Sequence, residues 1–170
     1  MPWISRPPTP QTQAIIDDFN TFRGGFLNSY AQMEFTVGRL LSRFNVTSPF
    51  SGSQDGVKFR FESRLVAFEK LLKERDELRS YRSQGLKLCS RLRAKDQLRN
   101  YFAHGIVRYE AENMTFTIRR ILPSKKDPWE EVALDIHVSE IAPKLSDMSL
   151  LTQEFMYFAR DLSEQFALQF

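Results

Sequence analysis

The chain has few of the residues from which common enzyme sites are built. Its 170 residues include one cysteine and two histidines. A single cysteine excludes an intramolecular disulfide, and so few thiols and imidazoles make a Cys/His zinc site hard to build. The sequence therefore predicts a protein without a metal or a cofactor. Cys89 lies among leucines, which favours a buried core thiol over a reactive one.

Several longer patterns are also missing. The sequence contains no Gly-rich phosphate loop, no Gly-x-Ser-x-Gly elbow and no His-Glu-x-x-His metal pair. No apolar run approaches the roughly 20 residues that cross a bilayer. The proline-rich start has neither the charged nor the apolar segment of a signal peptide. These absences favour a cytoplasmic protein that makes no contact with membranes.

Phenylalanine is abundant where glycine is scarce, with fifteen Phe against seven Gly. That composition favours helices packed through large side chains over a turn-rich β architecture. The length fits one domain. We therefore predict a mainly α fold, with an extended Pro-rich arm over residues 1–9 and a single helical domain over 10–170.

The first helix is predicted to begin at Thr9-Pro10, an N-cap followed by proline at the first helical position. Gly24-Gly25 is expected to kink or split this helix. Further helices are predicted over about 57–82 and 86–103 and from about 146, with a break at 83–85. Short connections predict antiparallel neighbours in a bundle.

A small β insert is predicted between the third and the last helix, over about 106–136. Residues 106–109 and 115–119 are β-branched and aromatic and are separated by a short polar segment, which indicates a hairpin. Residues 132–136 are expected to add a third short strand. Gly105, just before the hairpin, is expected to end the third helix in a left-handed conformation.

Four polar residues toward the end of the third helix could do chemistry. Asp96, Asn100 and His104 are spaced i, i+4, i+8 and so climb one helix face, which Arg99 borders. Histidine could move a proton near neutral pH, and arginine offers a planar fork suited to phosphate. RNA brings its own nucleophile, the 2′-hydroxyl, so this set could cleave it without a metal. The alternative is that these residues merely cap a helix end.

His137 follows the last predicted strand with no titratable residue at useful spacing except Asp135, so it is interpreted as a surface or edge residue. The net charge of +3 is unevenly spread, because basic residues outnumber acidic ones about twofold over 58–99. This basic segment could bind a phosphate-bearing partner, or it could simply be solvated helix surface.

The segment Arg99-Asn100-Tyr101-Phe102-Ala103-His104 resembles the signature of the HEPN superfamily. That signature is an arginine and a histidine separated by four to six residues, often with Asn after the Arg, late in a bundle of four or five helices. The resemblance implies a HEPN-like antiparallel helical bundle with catalytic residues Arg99, Asn100 and His104. It also implies an acidic residue on an earlier helix, for which Glu34 is the candidate unless it is a solvent-facing residue. Asp96 is a second accessory candidate.

Many HEPN domains are metal-independent endoribonucleases of toxin–antitoxin pairs, of defence systems or of RNA processing, and they usually form homodimers. The resemblance therefore implies an RNA substrate, a second copy of the chain and an antitoxin or other protein partner. The residues predicted to bind RNA are basic and lie near the motif: Arg91, Arg93, Lys95 and Arg108. Other HEPN proteins are non-catalytic modules for dimerisation, nucleotide binding or protein binding, and that alternative stays open.

Overall fold

A computed structural model describes residues 7–52, 60–122 and 127–168 of the chain. The described protein is mainly helical, with a small antiparallel sheet before its last helix, as predicted. The helices and strands follow in this order: α1 Pro10–Val46, α2 Phe61–Glu74, α3 Arg82–Arg93, α4 Asp96–His104, β1 Ile106–Glu110, β2 Thr115–Ile121, β3 Glu131–His137 and α5 Ile141–Gln165.

Helix α1 begins where the sequence predicts. The hydroxyl of Thr9 accepts a hydrogen bond from the backbone N–H of Thr12 at 3.2 Å, as an N-cap should. The helix then runs without interruption through Gly24-Gly25, so the predicted split is wrong. The flanking Phe22 and Phe26 are almost fully buried, and their packing outweighs the low helix propensity of the two glycines.

The predicted break at residues 83–85 is also wrong, because these residues lie inside α3. The chain instead leaves the helix after Glu74 and passes through a 3₁₀ turn at Asp76–Leu78. Gly85 is needed for close packing, since a Cβ there would meet Leu72 at 2.6 Å and Phe158 at 2.8 Å. A glycine that looks like a helix breaker in the sequence here makes room for neighbouring side chains.

The predicted start of the second helix, at about residue 57, lies outside the described residues, and two other helix boundaries differ from the predictions. The third predicted helix is divided by a turn at Ala94-Lys95 into α3 and α4. The last helix begins at Ile141, five residues earlier than expected, with Pro143 in its first turn, where the missing N–H costs little.

The predicted hairpin and third strand are confirmed. The sheet has the order β1-β2-β3, and both pairs are antiparallel. Phe116 pairs with Tyr109 on one side and with Ile136 on the other. Side chains alternate between the two faces, so Phe116, Ile118 and Ile136 are buried while Arg119 faces solvent.

The described residues group into two compact units. The sheet unit draws on the described residues of 7–27, 98–122 and 127–146, and its core is a cluster of phenylalanines around Phe102. The ring of Phe102 makes edge contacts with Phe19, Phe22 and Phe26 at centroid distances of 6.0, 5.2 and 5.1 Å. Phe19 also stacks on Phe116 of β2 at 3.9 Å, which joins α1 to the sheet.

The helical unit draws on the described residues of 28–52, 60–97 and 147–168 and packs parts of α1 and α5 with α2 and α3. Phe68 of α2 meets Phe158 of α5 edge-on at 6.5 Å, and both rings are buried. Cys89 lies in this unit and is buried, as predicted. Burial raises the pKa of its thiol to about 12, and nearby Glu69 adds to the increase.

Candidate functional site

The candidate site lies where α4 ends and β1 begins, within the sheet unit. The backbone N–H of Gly105 donates to the carbonyl of Tyr101 at 2.8 Å and closes the last helical turn. Gly105 does not adopt a positive φ, so the predicted left-handed conformation is wrong. It is needed instead for contact with the sheet, because a Cβ there would lie 2.3 Å from Cγ2 of Ile118.

Arg23 of α1 caps the C-terminus of α4. Its Nε donates to the carbonyl oxygen of Phe102 at 2.6 Å, and its Nη2 donates to that of Gly105 at 3.4 Å. A cation there stabilises the exposed carbonyls and the negative end of the helix dipole. These two carbonyls flank His104, so Arg23 fixes the backbone from which the histidine projects.

The arginine and the asparagine of the motif are hydrogen-bonded to each other. Nη1 of Arg99 donates to Oδ1 of Asn100 at 2.9 Å, and both residues are half-buried. Arg99 and His104 are about 140° apart around the helix axis, whereas Asn100 and His104 are only about 40° apart. The hydrogen bond therefore brings the guanidinium of Arg99 toward the helix face that carries His104. Asn100 thus orients Arg99, a role that the sequence did not reveal.

His104 is the last residue of α4 and is exposed to solvent. No carboxylate among the described residues forms an ion pair with it within 4.0 Å. Its ring is accessible to a ligand on the face shared with Asn100. Helix α4 thus carries both a group that can transfer protons and a guanidinium that can bind an anion.

The two accessory acids have structural partners in the helical unit. Asp96 begins α4, and its Oδ1 accepts a hydrogen bond at 3.1 Å from the hydroxyl of Tyr30, which is buried. Glu34 forms a salt bridge of 3.3 Å with Arg64, and both side chains are mostly buried. Each carboxylate thus has a role in packing, which accounts for its position without catalysis.

Three of the four predicted RNA-binding residues are paired with carboxylates in the helical unit. Arg91 contacts Glu154 and Asp147, and Lys95 contacts Asp147. Arg93 is bound by two glutamates, at 2.9 Å from Glu69 and 3.0 Å from Glu62. The hydrogen bond that Arg93 donates to Glu69 is the main reason that the pKa of Arg93 lies above its ordinary value. These pairs offset the charges of three of the cations that the sequence shows over 58–99.

Arg108, the fourth of them, has a different environment. It is exposed on β1 and lies opposite Thr117 in the sheet, whose hydroxyl donates to Asp135 of β3 at 2.7 Å. No salt bridge joins Arg108 to a carboxylate in the described part of the chain. It is the member of the predicted set whose charge is most accessible to a phosphate.

Arg120 is a residue of this region that the sequence interpretation missed. It is half-buried on β2, and its guanidinium carbon lies 4.9 Å from the centre of the Tyr101 ring. A signal was present, because Arg120 follows Phe116 and Ile118 at a spacing of two and so faces the core side of the strand. A charged residue at such a position is unusual and suggests a special role.

His137 is exposed and acts as a local cap, in agreement with its interpretation as a surface residue. Its Nδ1 accepts from the backbone N–H of Ser139 at 3.2 Å, and its own backbone N–H donates to Glu140 at 3.1 Å. That backbone hydrogen bond is the main cause that lowers the pKa of Glu140. His137 therefore has a structural role as a cap, whereas His104 is the candidate for proton transfer. A substitution of His137 is accordingly a suitable control for a substitution of His104.

Comparisons of the chain with protein-family models, with curated proteins and with solved structures found no match. Within residues 7–52, 60–122 and 127–168, no helix is both long and apolar enough to cross a membrane. The same residues contain no group of three or more His, Cys, Asp or Glu side chains that could hold a metal ion.

Proposed function

We propose that the protein is a metal-independent endoribonuclease of the HEPN type, acting in the cytoplasm as a homodimer. One observation carries the proposal: the hydrogen bond from Arg99 to Asn100 brings a guanidinium toward the face of α4 on which the exposed His104 lies. A phosphate on that face would meet an anion-binding group and a proton-transfer group together. A toxin, a defence nuclease and an RNA-processing nuclease would share this chemistry.

In the proposed reaction the 2′-hydroxyl of RNA attacks the adjacent phosphorus, and the 5′-oxygen of the next nucleotide leaves. This gives a 2′,3′-cyclic phosphate and a 5′-hydroxyl. His104 transfers a proton in this step, which typically contributes about 10²- to 10⁴-fold to the rate. Arg99 stabilises the negative charge that develops on the phosphate oxygens, while Asn100 holds Arg99 in place.

The test is cleavage of a mixed, labelled RNA pool in the presence of EDTA. Wild type is compared with Arg99→Ala, His104→Ala and the control His137→Ala. We expect cyclic phosphate ends from wild type and the control, and at least about a 100-fold loss of rate in the other two variants. Equal cleavage by wild type and His104→Ala would refute the proposed role of the histidine.

A second candidate function, a non-catalytic binding module, is favoured by the ion pairs of Arg91, Arg93 and Lys95. A surface whose cations are paired with carboxylates attracts a polyanion less strongly. On this alternative, the end of α4 binds a nucleotide, a partner protein or a second copy of the chain. A folded wild type that binds nucleotide without cleaving any RNA would support it.

A further inference from the structure

The guanidinium of Arg120 lacks the acidic partner that such a group normally has when it is partly buried. Its Nε is buried and has no acceptor, and no carboxylate of the described residues forms a salt bridge with it. Burying part of a cation without compensation costs free energy. Nε is the one nitrogen of this side chain that is buried without an acceptor. Because the residue as a whole is only half-buried, an anion can reach the terminal nitrogens of the guanidinium.

Arg120 is nevertheless held in a defined position. The Tyr101 ring lies against its guanidinium, and the hydroxyl of Tyr101 donates to the carbonyl of Ala133 on β3 at 3.5 Å. Tyr101 is itself buried, so the ring is a rigid support. A flat aromatic face orients a guanidinium and leaves its edge, which carries the N–H donors, available for another group.

The position of Tyr101 on α4 places Arg120 near the candidate site. Tyr101 and His104 are three residues apart, so they are neighbours on the helix surface. Asn100 lies on the other side of His104 and holds Arg99. Around the helix axis, His104 therefore lies between Asn100, which binds Arg99, and Tyr101, whose ring lies against Arg120.

We propose that Arg120 is a second phosphate-binding residue of this site, contacting the phosphate next to the one that Arg99 and His104 engage. The ligand is a phosphodiester chain, because a polynucleotide carries one charged phosphate per nucleotide along its backbone, whereas a nucleoside monophosphate carries only one phosphate in all. That the chain is RNA rests on the proposed function. Binding and cleavage can be measured separately, so the two proposals can fail independently.

The experiment measures the affinity of a fluorescent 2′-O-methyl RNA oligonucleotide for the full-length protein by anisotropy. The methyl group blocks the nucleophile, so wild type can be used without cleavage. We expect Arg120→Gln to weaken binding about tenfold and to reduce the salt dependence by about one phosphate contact. The matched control Arg119→Gln also removes one positive charge, from the adjacent residue that faces outward and pairs with Glu131. It should change the affinity less than about twofold.

Arg120→Lys keeps the charge and should recover part of the affinity, which guards against misfolding of the glutamine variant. Ring NMR signals give a second measurement, since the chain has only two histidines. The oligonucleotide should shift the signals of His104 and leave those of His137 in place, and the shift of His104 should be smaller in Arg120→Gln.

Equal affinities of Arg120→Gln and Arg119→Gln would overturn the assignment of Arg120, whether or not the wild type cleaves RNA. Failure of the wild type to bind the oligonucleotide would overturn it as well. Binding that depends on Arg120, without cleavage of unmodified RNA, would leave the phosphate site standing and refute the nuclease.

Discussion

Gly105 shows how one missing methyl group determines the geometry of the candidate site. The residue lies between His104 and β1, and a Cβ there would fall 2.6 Å from the carbonyl oxygen of Tyr101 as well as against Ile118. The backbone carbonyl cannot move without disturbing α4. Any side chain at 105 would therefore separate α4 from the sheet and displace the histidine.

We expect Gly105→Ala to lower the free energy of unfolding by about 1–3 kcal/mol, because it overpacks this contact. Gly24→Ala is the matched control. Gly24 is an exposed residue in the interior of α1 with nothing within 4 Å of its added Cβ, so alanine should stabilise the protein by about 0.5–1 kcal/mol. Urea unfolding followed by circular dichroism measures both, and a neutral Gly105→Ala would contradict the packing account.

The buried thiol gives a prediction about pH. Burial raises the pKa of Cys89 to about 12 from its ordinary value of 9.0, so between these values the folded chain keeps a proton that the unfolded chain releases. Its contribution to stability is therefore present below about pH 9 and is lost as the pH rises toward 12. The stability advantage of wild type over Cys89→Ala should shrink between pH 8 and pH 10 in urea titrations. A constant difference would show that burial does not raise the pKa.

Single residues were predictable from the sequence only where the signal is local. The N-cap at Thr9, the burial of Cys89 and the surface position of His137 depend on a few neighbouring residues. The roles of Arg23 and Arg120 depend on residues about 80 and 20 positions away along the chain, respectively. No pattern within one helix or strand indicates such partners.

Among the secondary-structure elements, the sheet was predicted better than the helix boundaries. Alternation with period two defines a strand directly, and the hairpin register follows from it. The position of the break between α2 and α3 could not be predicted, because the role of Gly85 depends on residues outside its own helix. Gly85 packs against Leu72, on the other side of the connecting turn, and against Phe158, more than 70 residues further along the chain. Arg82 also donates to the carbonyl of Leu72 at 2.9 Å, which ties the start of α3 to the end of α2.

Helix α5 provides a test of which face holds the helical unit together. Phe158 is almost fully buried against Phe68 and Tyr81, whereas the adjacent Tyr157 is 50% exposed. We expect Phe158→Ala to cost about 3–5 kcal/mol of unfolding free energy. Tyr157→Ala, which removes an aromatic ring from the outer face, should cost at most about 1 kcal/mol. Similar losses in both variants, measured by urea unfolding, would mean that the assigned buried face is wrong.

For the molecule as a whole, the binding of a polyanion depends more on where the charges lie than on the net charge of +3. Several cations of the basic segment that the sequence suggested as an RNA surface, among them Arg91, Arg93 and Lys95, form salt bridges within the protein. A count of Lys and Arg along the chain could not show this, because their acidic partners include Asp147 and Glu154, at least 50 residues further along the chain. Fewer of these charges are therefore available to a polyanion than the sequence suggested.

We therefore expect Arg108→Gln to weaken binding of 2′-O-methyl RNA more than Arg91→Gln does. Both variants lose one positive charge, but the charge of Arg91 is already offset by Glu154 and Asp147. The expected losses are about three- to tenfold for Arg108 and less than about twofold for Arg91. The reverse order would mean that RNA displaces the carboxylates and follows α3, as the charge pattern of the sequence suggested.

The buried position of Cys89, the only cysteine, also bears on how this protein can be labelled. A protonated thiol in the core does not react with maleimides at neutral pH, because the reactive form is the exposed thiolate. A cysteine introduced at an exposed position such as Arg108 would therefore be the sole point of attachment for a dye or a crosslinker. A series of variants, each with one added surface cysteine near His104, can therefore be labelled at a single site without changing Cys89.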